Sequence, residues 1–174
     1  MDEASAGELC RAFDLSHIRC WVVGGWGVDA LLGRRTRPHK DLDVLLAFSE
    51  HAAAWQILHE RGYRLAYRWE ENVDVPGAFF DETGQPTAYV LQDGSGRLVD
   101  VHVLDDRPDE LTPLWSTDRV LIDGALEASG TIDGVGVRCM SARMQLVAHE
   151  GYELPSEHQA DVVLLQQLID SDIG

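Results

Sequence analysis

Two acidic side chains open the stretch Asp41-Leu42-Asp43-Val44-Leu45-Leu46. In a strand, alternate residues project from one face, so both carboxylates aim at one point while Leu42 turns to the other side. Like charges held that close raise each other's pKa unless a cation sits between them. Hard oxygen donors suit Mg²⁺, which takes one or two protein carboxylates together with substrate phosphates. An acid-x-acid pair is also a frequent solvated surface, but here its surroundings favour chemistry. Upstream, Trp21-Val22-Val23 runs into Gly24-Gly25 and then a helical pattern, an arrangement that offers backbone N–H groups and a helix dipole to a phosphate. A third carboxylate, Asp100, lies in Leu98-Val99-Asp100-Val101-His102-Val103, where a charge among apolar strand residues needs a partner. Either Asp100 and His102 share a solvent-facing sheet surface, or their strand lies beside that of Asp41 and Asp100 joins the pair as a third ligand.

Positioning these groups takes alternating helices and strands. Leu9, Ala12, Phe13 and Ser16 predict a first helix over 3–18, and Val28, Leu31 and Leu32 a short second one ending at Gly33. A basic loop, 34–40, feeds the acidic strand; Ser49 is the expected cap of a helix over 50–61 whose buried face is Ala53, Ala54, Ile57 and Leu58. Strands are predicted over 63–69, 87–91 and 97–104, the last two joined by the turn Asp93-Gly94-Ser95-Gly96, with short edge strands over 120–122 and 135–138. Ser141 caps a helix carrying Met144, Val147 and Ala148 and closed by Gly151. A last helix follows Pro155, with Ser156 and Gln159 in capping-box positions and a stripe of Ala160, Val163, Leu164 and Leu168. The expected fold class is α/β in the α+β sense, with a mixed sheet: a core over 1–138 and a helical region over 139–174, packed as one unit.

The chain has 174 residues, enough for one domain, and 45% hydrophobic residues, enough for a real core. With 14 Lys and Arg against 30 Asp and Glu, the formal charge is −16. Such a balance excludes duplex nucleic acid as the main partner, because that binding rests on basic groups neutralising phosphates, and it suits cationic small molecules and metal ions. Cys10, Cys20 and Cys139 are odd in number and widely spaced, which predicts neither a zinc knuckle nor a disulfide framework and points to the cytoplasm. Neither a signal peptide nor a membrane span is expected.

The stretches Trp21-Val-Val-Gly-Gly-Trp-Gly-Val-Asp-Ala-Leu-Leu-Gly33 and Thr36-Arg-Pro-His-Lys-Asp-Leu-Asp43 resemble the signature of small antibiotic nucleotidyltransferases of the DNA polymerase β superfamily. Both aminoglycoside 2″- and lincosamide nucleotidyltransferases carry this kind of run. The segment Cys139-Met-Ser-Ala-Arg-Met-Gln-Leu-Val-Ala-His-Glu-Gly-Tyr152, with His158-Gln-Ala-Asp161 after it, is more similar to the lincosamide branch.

The resemblance implies a polymerase β-like core and transfer of a nucleoside monophosphate from an NTP, ATP being the expected donor, to a hydroxyl of a small-molecule antibiotic. Lincosamides stand slightly ahead of aminoglycosides. Asp41, Asp43 and Asp100 match the catalytic carboxylates that would hold Mg²⁺, two ions being expected, and Gly24 and Gly25 match the phosphate-contacting turn. Trp26 replaces the superfamily's small hydroxyl residue and is carried with the nucleotide site. Lys40 departs from the usual polar or acidic residue and either adds a phosphate contact or stands exposed. Arg37 and His39 are candidate polyphosphate contacts, with Arg37 as a loop brace the alternative. Glu70, Tyr89, His102, Tyr152 and His158 are candidates for the acceptor side, Glu70 with its neighbour Glu71 as holders of an acceptor amine, although a solvated acidic loop, Tyr152 as a core aromatic and His158 with Asp161 as a helix-surface pair are ordinary uses of those residues. Tyr67, Trp69, Phe79, Phe80 and Tyr89 could supply an apolar wall, or simply sheet core. The alternatives are a protein-modifying nucleotidyltransferase of the antitoxin type, for which a GSxARG-like turn would be expected where Gly24-Gly25-Trp26-Gly27 stands, and a non-catalytic nucleotide-binding module. A monomer or homodimer is expected, with no nucleic-acid or membrane partner.

Overall fold

A computed structural model describes residues 1–76, 84–116, 120–150 and 153–172. In chain order the elements are α1 (Glu3–Leu15), β1 (Cys20–Val23), α2 (Gly24–Leu32), β2 (Asp41–Ala47), α3 (Phe48–Glu60), β3 (Arg64–Arg68), β4 (Asp74–Val75), β5 (Gln85–Pro86), β6 (Ala88–Gln92), β7 (Leu98–Asp105), β8 (Thr112–Pro113), β9 (Ala128–Ile132), β10 (Val135–Cys139), α4 (Ala142–Ala148) and α5 (Ser156–Asp172). The main sheet has the order β3-β6-β7-β2-β1-β10-β9, with β8 added beside β7. Pairings β2·β7 and β1·β10 are parallel and the others along this path antiparallel. This is the mixed sheet expected for the chain.

Period-two alternation sends each strand's side chains to two apolar layers. Leu42, Val44 and Leu46 of β2 join Val99, Val101 and Val103 of β7 in a core shared with Phe13, Trp26 and Trp55 of α1, α2 and α3. On the other side, Leu45 and Leu104 meet Trp21, Trp115, Met140 and Met144. Asp41 and Asp43 of β2 and Asp100 of β7 lie on this second side.

Several local expectations shift. Ser16 lies outside α1, as its C-cap. Gly24 and Gly25 belong to α2 rather than to a turn before it. Ser49 does not cap α3; Ala47 is the N-cap residue, and Asp106, arriving after β7, accepts from the Ser49 N–H at 3.0 Å and from its hydroxyl at 2.5 Å. The buried face of α3 is His51, Ala54, Trp55 and Leu58, and Ala53 is exposed. Residues 120–122 form no strand, whereas β9, unanticipated, pairs with β10. Ser141 caps α4 as expected, accepting from the Met144 N–H; Gly151 lies outside the described residues.

Candidate active site

Parallel pairing of β2 with β7 places Asp43 directly opposite Asp100 and Asp41 opposite Leu98. Three carboxylates from two strands therefore share one face, as the second of the two sequence readings required. Asp100 is buried, and Asp41 and Asp43 are partly so. Among the described residues no ion pair engages the Asp41 or Asp43 carboxylate, and each meets its own backbone N–H. Burial, then Asp41 and Asp100, pushes Asp43 well above the usual carboxylate range, and burial followed by Asp100 raises Asp41. Concentrated negative charge with no cationic partner in contact is the environment a hard cation relieves. Among the described residues no three acids, imidazoles or thiols are already drawn into a closed ligand group, so the fit rests on donor type and convergence. By that test the residues suit Mg²⁺.

At the end of β1 the chain enters α2 through Gly24, whose φ is +59°. A Cβ at this position would collide with the Asp43 carboxylate, so glycine is required both by conformation and by the close approach of the acid. The first amides of α2 have no side-chain cap and leave their N–H groups and the positive end of the helix dipole beside Asp43. Over Gly25 stand the side chains of His39 and Arg37.

Asp29, buried within α2, organises that basic loop. It accepts from the Thr36 N–H at 3.0 Å and from the Thr36 hydroxyl at 2.5 Å, and pairs with His39 Nε2 at 2.5 Å. The His39 ring packs against Trp26 with centroids 4.4 Å apart. Arg37 reaches α5, where Nε and Nη2 contact the two Asp161 oxygens at 3.1 and 2.6 Å. Asp161 is 1% exposed; it belongs to the inner face of α5 with Leu165, while Ala160 and Val163 of the anticipated stripe are exposed. The helix is thus rotated relative to the simple apolar reading, because a buried ion pair, not only apolar burial, fixes its inner face. Nor does Ser156 close a capping box: the Gln159 side chain donates to the Leu154 carbonyl.

These parts enclose a cleft of about 650 Å³. Gly24, Gly25, Arg37, His39, Lys40 and the three aspartates line it, as do His102 and His158. Lys40 is exposed and faces Glu157 at 3.4 Å. His102 places Nδ1 3.3 Å from Asp100 and Nε2 3.8 Å from Glu71. His158 meets His149 edge-on, and burial, then His149, lowers its pKa.

Three anticipated residues are placed elsewhere. Trp26 is 1% exposed and packs in the helix-side core, because the helix that begins at Gly24 turns its third residue inward. Tyr89 is fully buried, its hydroxyl 2.7 Å from His51 Nε2. Glu70 is exposed and outside the lining, where its neighbour Glu71 takes the place. Tyr152, Phe79 and Phe80 lie outside the described residues.

Sequence reasoning missed Trp115, which packs edge-on against His102, and had no periodic signal to find it in an acidic, proline-bearing loop. It also missed what Trp69 does. A bulge in β3 between Leu65 and Tyr67 changes the register against β6, and this brings Tyr67 and Trp69 to the acidic face. The Trp69 indole N–H points at both Asp100 oxygens, at 3.0 and 3.1 Å.

Comparison with known proteins gives consistent matches. The profile of the aminoglycoside-2″-adenylyltransferase family matches residues 7–165. A lincosamide resistance protein of Staphylococcus haemolyticus is 22% identical over 158 residues, 90% of this chain and 89% of the relative. A 2″-aminoglycoside nucleotidyltransferase of Klebsiella pneumoniae is 43% identical over 37 residues, 21% of each chain. Among solved structures, lincomycin-bound LnuA, a lincosamide antibiotic adenylyltransferase, superposes with a TM-score of 0.76 at 22% identity, covering 97% of this chain and 98% of its own. ANT(2″)-Ia in complex with adenylyl-2″-tobramycin gives 0.74 at 20% identity, covering 98% and 90%. At those identities the structural likeness speaks to the fold.

Proposed function

The chain belongs to the aminoglycoside-2″-adenylyltransferase family and is an antibiotic nucleotidyltransferase, and on that premise we propose that it moves the nucleoside monophosphate of ATP to a hydroxyl of a lincosamide. The observation that carries the reaction is the convergence of Asp41, Asp43 and Asp100 beside the uncapped first turn of α2. Asp41, Asp43 and Asp100 would hold Mg²⁺, two ions in this reading, which when bound supplies charge neutralisation for the triphosphate and acidity to the acceptor hydroxyl. The first amides of α2 receive a phosphate oxygen, and Arg37, His39 and Lys40 flank the polyphosphate. In-line attack forms the acceptor O–P bond as the bond to pyrophosphate breaks. Asp100, on the acceptor side, takes the hydroxyl proton. Most of the rate comes from holding the two substrates in line. The donor is taken as ATP because both the family's name and that of LnuA specify adenylyl transfer.

Acceptor choice rests on which groups of the cleft remain uncommitted. Asp161 is bound to Arg37 and Glu157 faces Lys40, and the three aspartates would be taken up by the cation. Glu71 meets His102 Nε2 at 3.8 Å, the longest of these contacts, and is the acid most open to a substrate amine, while Leu45, Trp69, Trp115, Met140 and Ala148 give the cleft an apolar side. One carboxylate beside an apolar wall suits a lincosamide, with about one ammonium and an alkyl-proline part, better than a polycationic aminoglycoside. Three buried free thiols suit a reducing compartment, and the cytoplasm is the proposed location. Among the described residues no helix is long and apolar enough to cross a membrane.

The test is product mass after incubation with Mg²⁺, each NTP in turn, and lincomycin, clindamycin or tobramycin. Addition of one adenylyl group to a lincosamide is expected. Modification of tobramycin alone would overturn the acceptor assignment, and a preference for another NTP would overturn the donor.

A further inference from the structure

Trp69 stands just past the end of the edge strand β3, 37% exposed, and belongs to neither apolar core. Packing into a core therefore does not account for its placement. Three features of the chain hold it where it is. Its backbone N–H donates to the Ala88 carbonyl at 3.0 Å. The bulge before Tyr67 sets which face its side chain takes, and the Tyr67 ring meets its own edge-on with centroids 5.2 Å apart. The result is one N–H shared almost equally between the two oxygens of a carboxylate that is 7% exposed and sits opposite Asp43.

The terminal torsion of an aspartate is broad and weakly held by its own rotamer preferences. One Asp100 oxygen already meets His102 Nδ1 at 3.3 Å, and repulsion from Asp43 and Asp41 would turn the carboxylate further that way. A donor centred between both oxygens opposes that rotation by fixing the plane of the group, and leaves lone pairs on the outer edges for other partners. We propose that Trp69 is a positioning residue for this nucleotidyl transfer: its indole N–H orients Asp100, and the exposed face of the same ring forms the wall against which the acceptor lies. The proposal rests on the reading of Asp100 as the acceptor-side carboxylate, and it assigns to one residue two effects that substitution can separate.

Trp69→Phe keeps a flat apolar ring and removes the N–H. It is expected to lower kcat by about 10- to 100-fold, the usual cost of losing a group that orients a ligand, while acceptor KM changes less than threefold and the melting temperature stays within a degree or two. Trp69→Leu removes the ring as well and is expected to raise acceptor KM on top of the same loss in kcat. A second readout needs no turnover: in ¹H–¹⁵N spectra of the free protein, the indole resonance lost in Trp69→Phe is expected to move upfield and exchange faster with solvent in Asp100→Asn. An unmoved indole resonance, or wild-type kcat in Trp69→Phe, overturns the proposal. Loss of kcat with an equal rise in acceptor KM in Trp69→Phe also overturns it, since the ring alone would then be at work. Absence of transfer in the wild type would sink the functional reading by itself, and the indole spectrum would still decide whether Trp69 holds Asp100.

Discussion

Asp43 carries a free-energy penalty in the absence of a cation, because burial and two neighbouring carboxylates disfavour its charge. Asp43→Asn and Asp41→Asn are expected to reduce turnover by about 10²- to 10³-fold or more without lowering the melting temperature, since each removes repulsion from the metal-free protein. Kinetics beside differential scanning calorimetry checks both halves; a variant that unfolds early would show the acid to be a structural group instead. At this scale the acid pair was legible because strand alternation alone aims it. Asp100 was legible only conditionally, since its meaning depends on β7 lying beside β2, and strand order is not written in local periodicity. Tyr89 and Trp26 misled for a related reason. A hydroxyl that reaches a buried His51 and an aromatic ring on the first turn of α2 look, in one dimension, the same as groups that face a ligand.

Helices and strands meet at two contacts that yield separate tests. Burial pulls the His51 imidazole, between α3 and β6, down to about 4 from an ordinary 6.5. Between those values the unfolded chain takes up a proton that the folded chain refuses, so stability falls as pH is lowered from 6.5 towards 4, by an amount on the order of 3 kcal/mol. His51→Leu is expected to flatten that limb in urea titrations at stepped pH, whatever it does to stability at neutrality. The other contact is Gly130 of β9, where a Cβ would run into the Ala30 carbonyl of α2. Gly130→Ala is expected to cost about 1–3 kcal/mol in chemical denaturation, whereas the same change at Gly134, which nothing crowds, costs only its left-handed backbone strain. Elements with a clean apolar period, α1 and β2, were legible. The inner face of α5 was not, because its decisive residue is an acid, and β9 was not, because Ala-Ser-Gly-Thr-Ile carries little strand preference.

Across the whole molecule, the Arg37–Asp161 pair ties the loop over the site to the helix near the end of the described chain. Asp161→Asn leaves the guanidinium facing a neutral amide in a largely buried setting and is expected to cost about 3 kcal/mol, with faster proteolysis within α5 as the companion sign; unchanged melting and cleavage would show the tie to be idle. The sheet has a further consequence, one of time. Asp43 and Asp100 are brought together by a parallel pairing, and β1 finds β10 only across most of the chain. Parallel partners so distant in sequence are slow to find each other, because loop closure must precede any reward. The acidic site is therefore among the last features of the molecule to exist during folding: helical signal should return early after dilution from denaturant, and nucleotide with Mg²⁺ should bind only with the slowest phase.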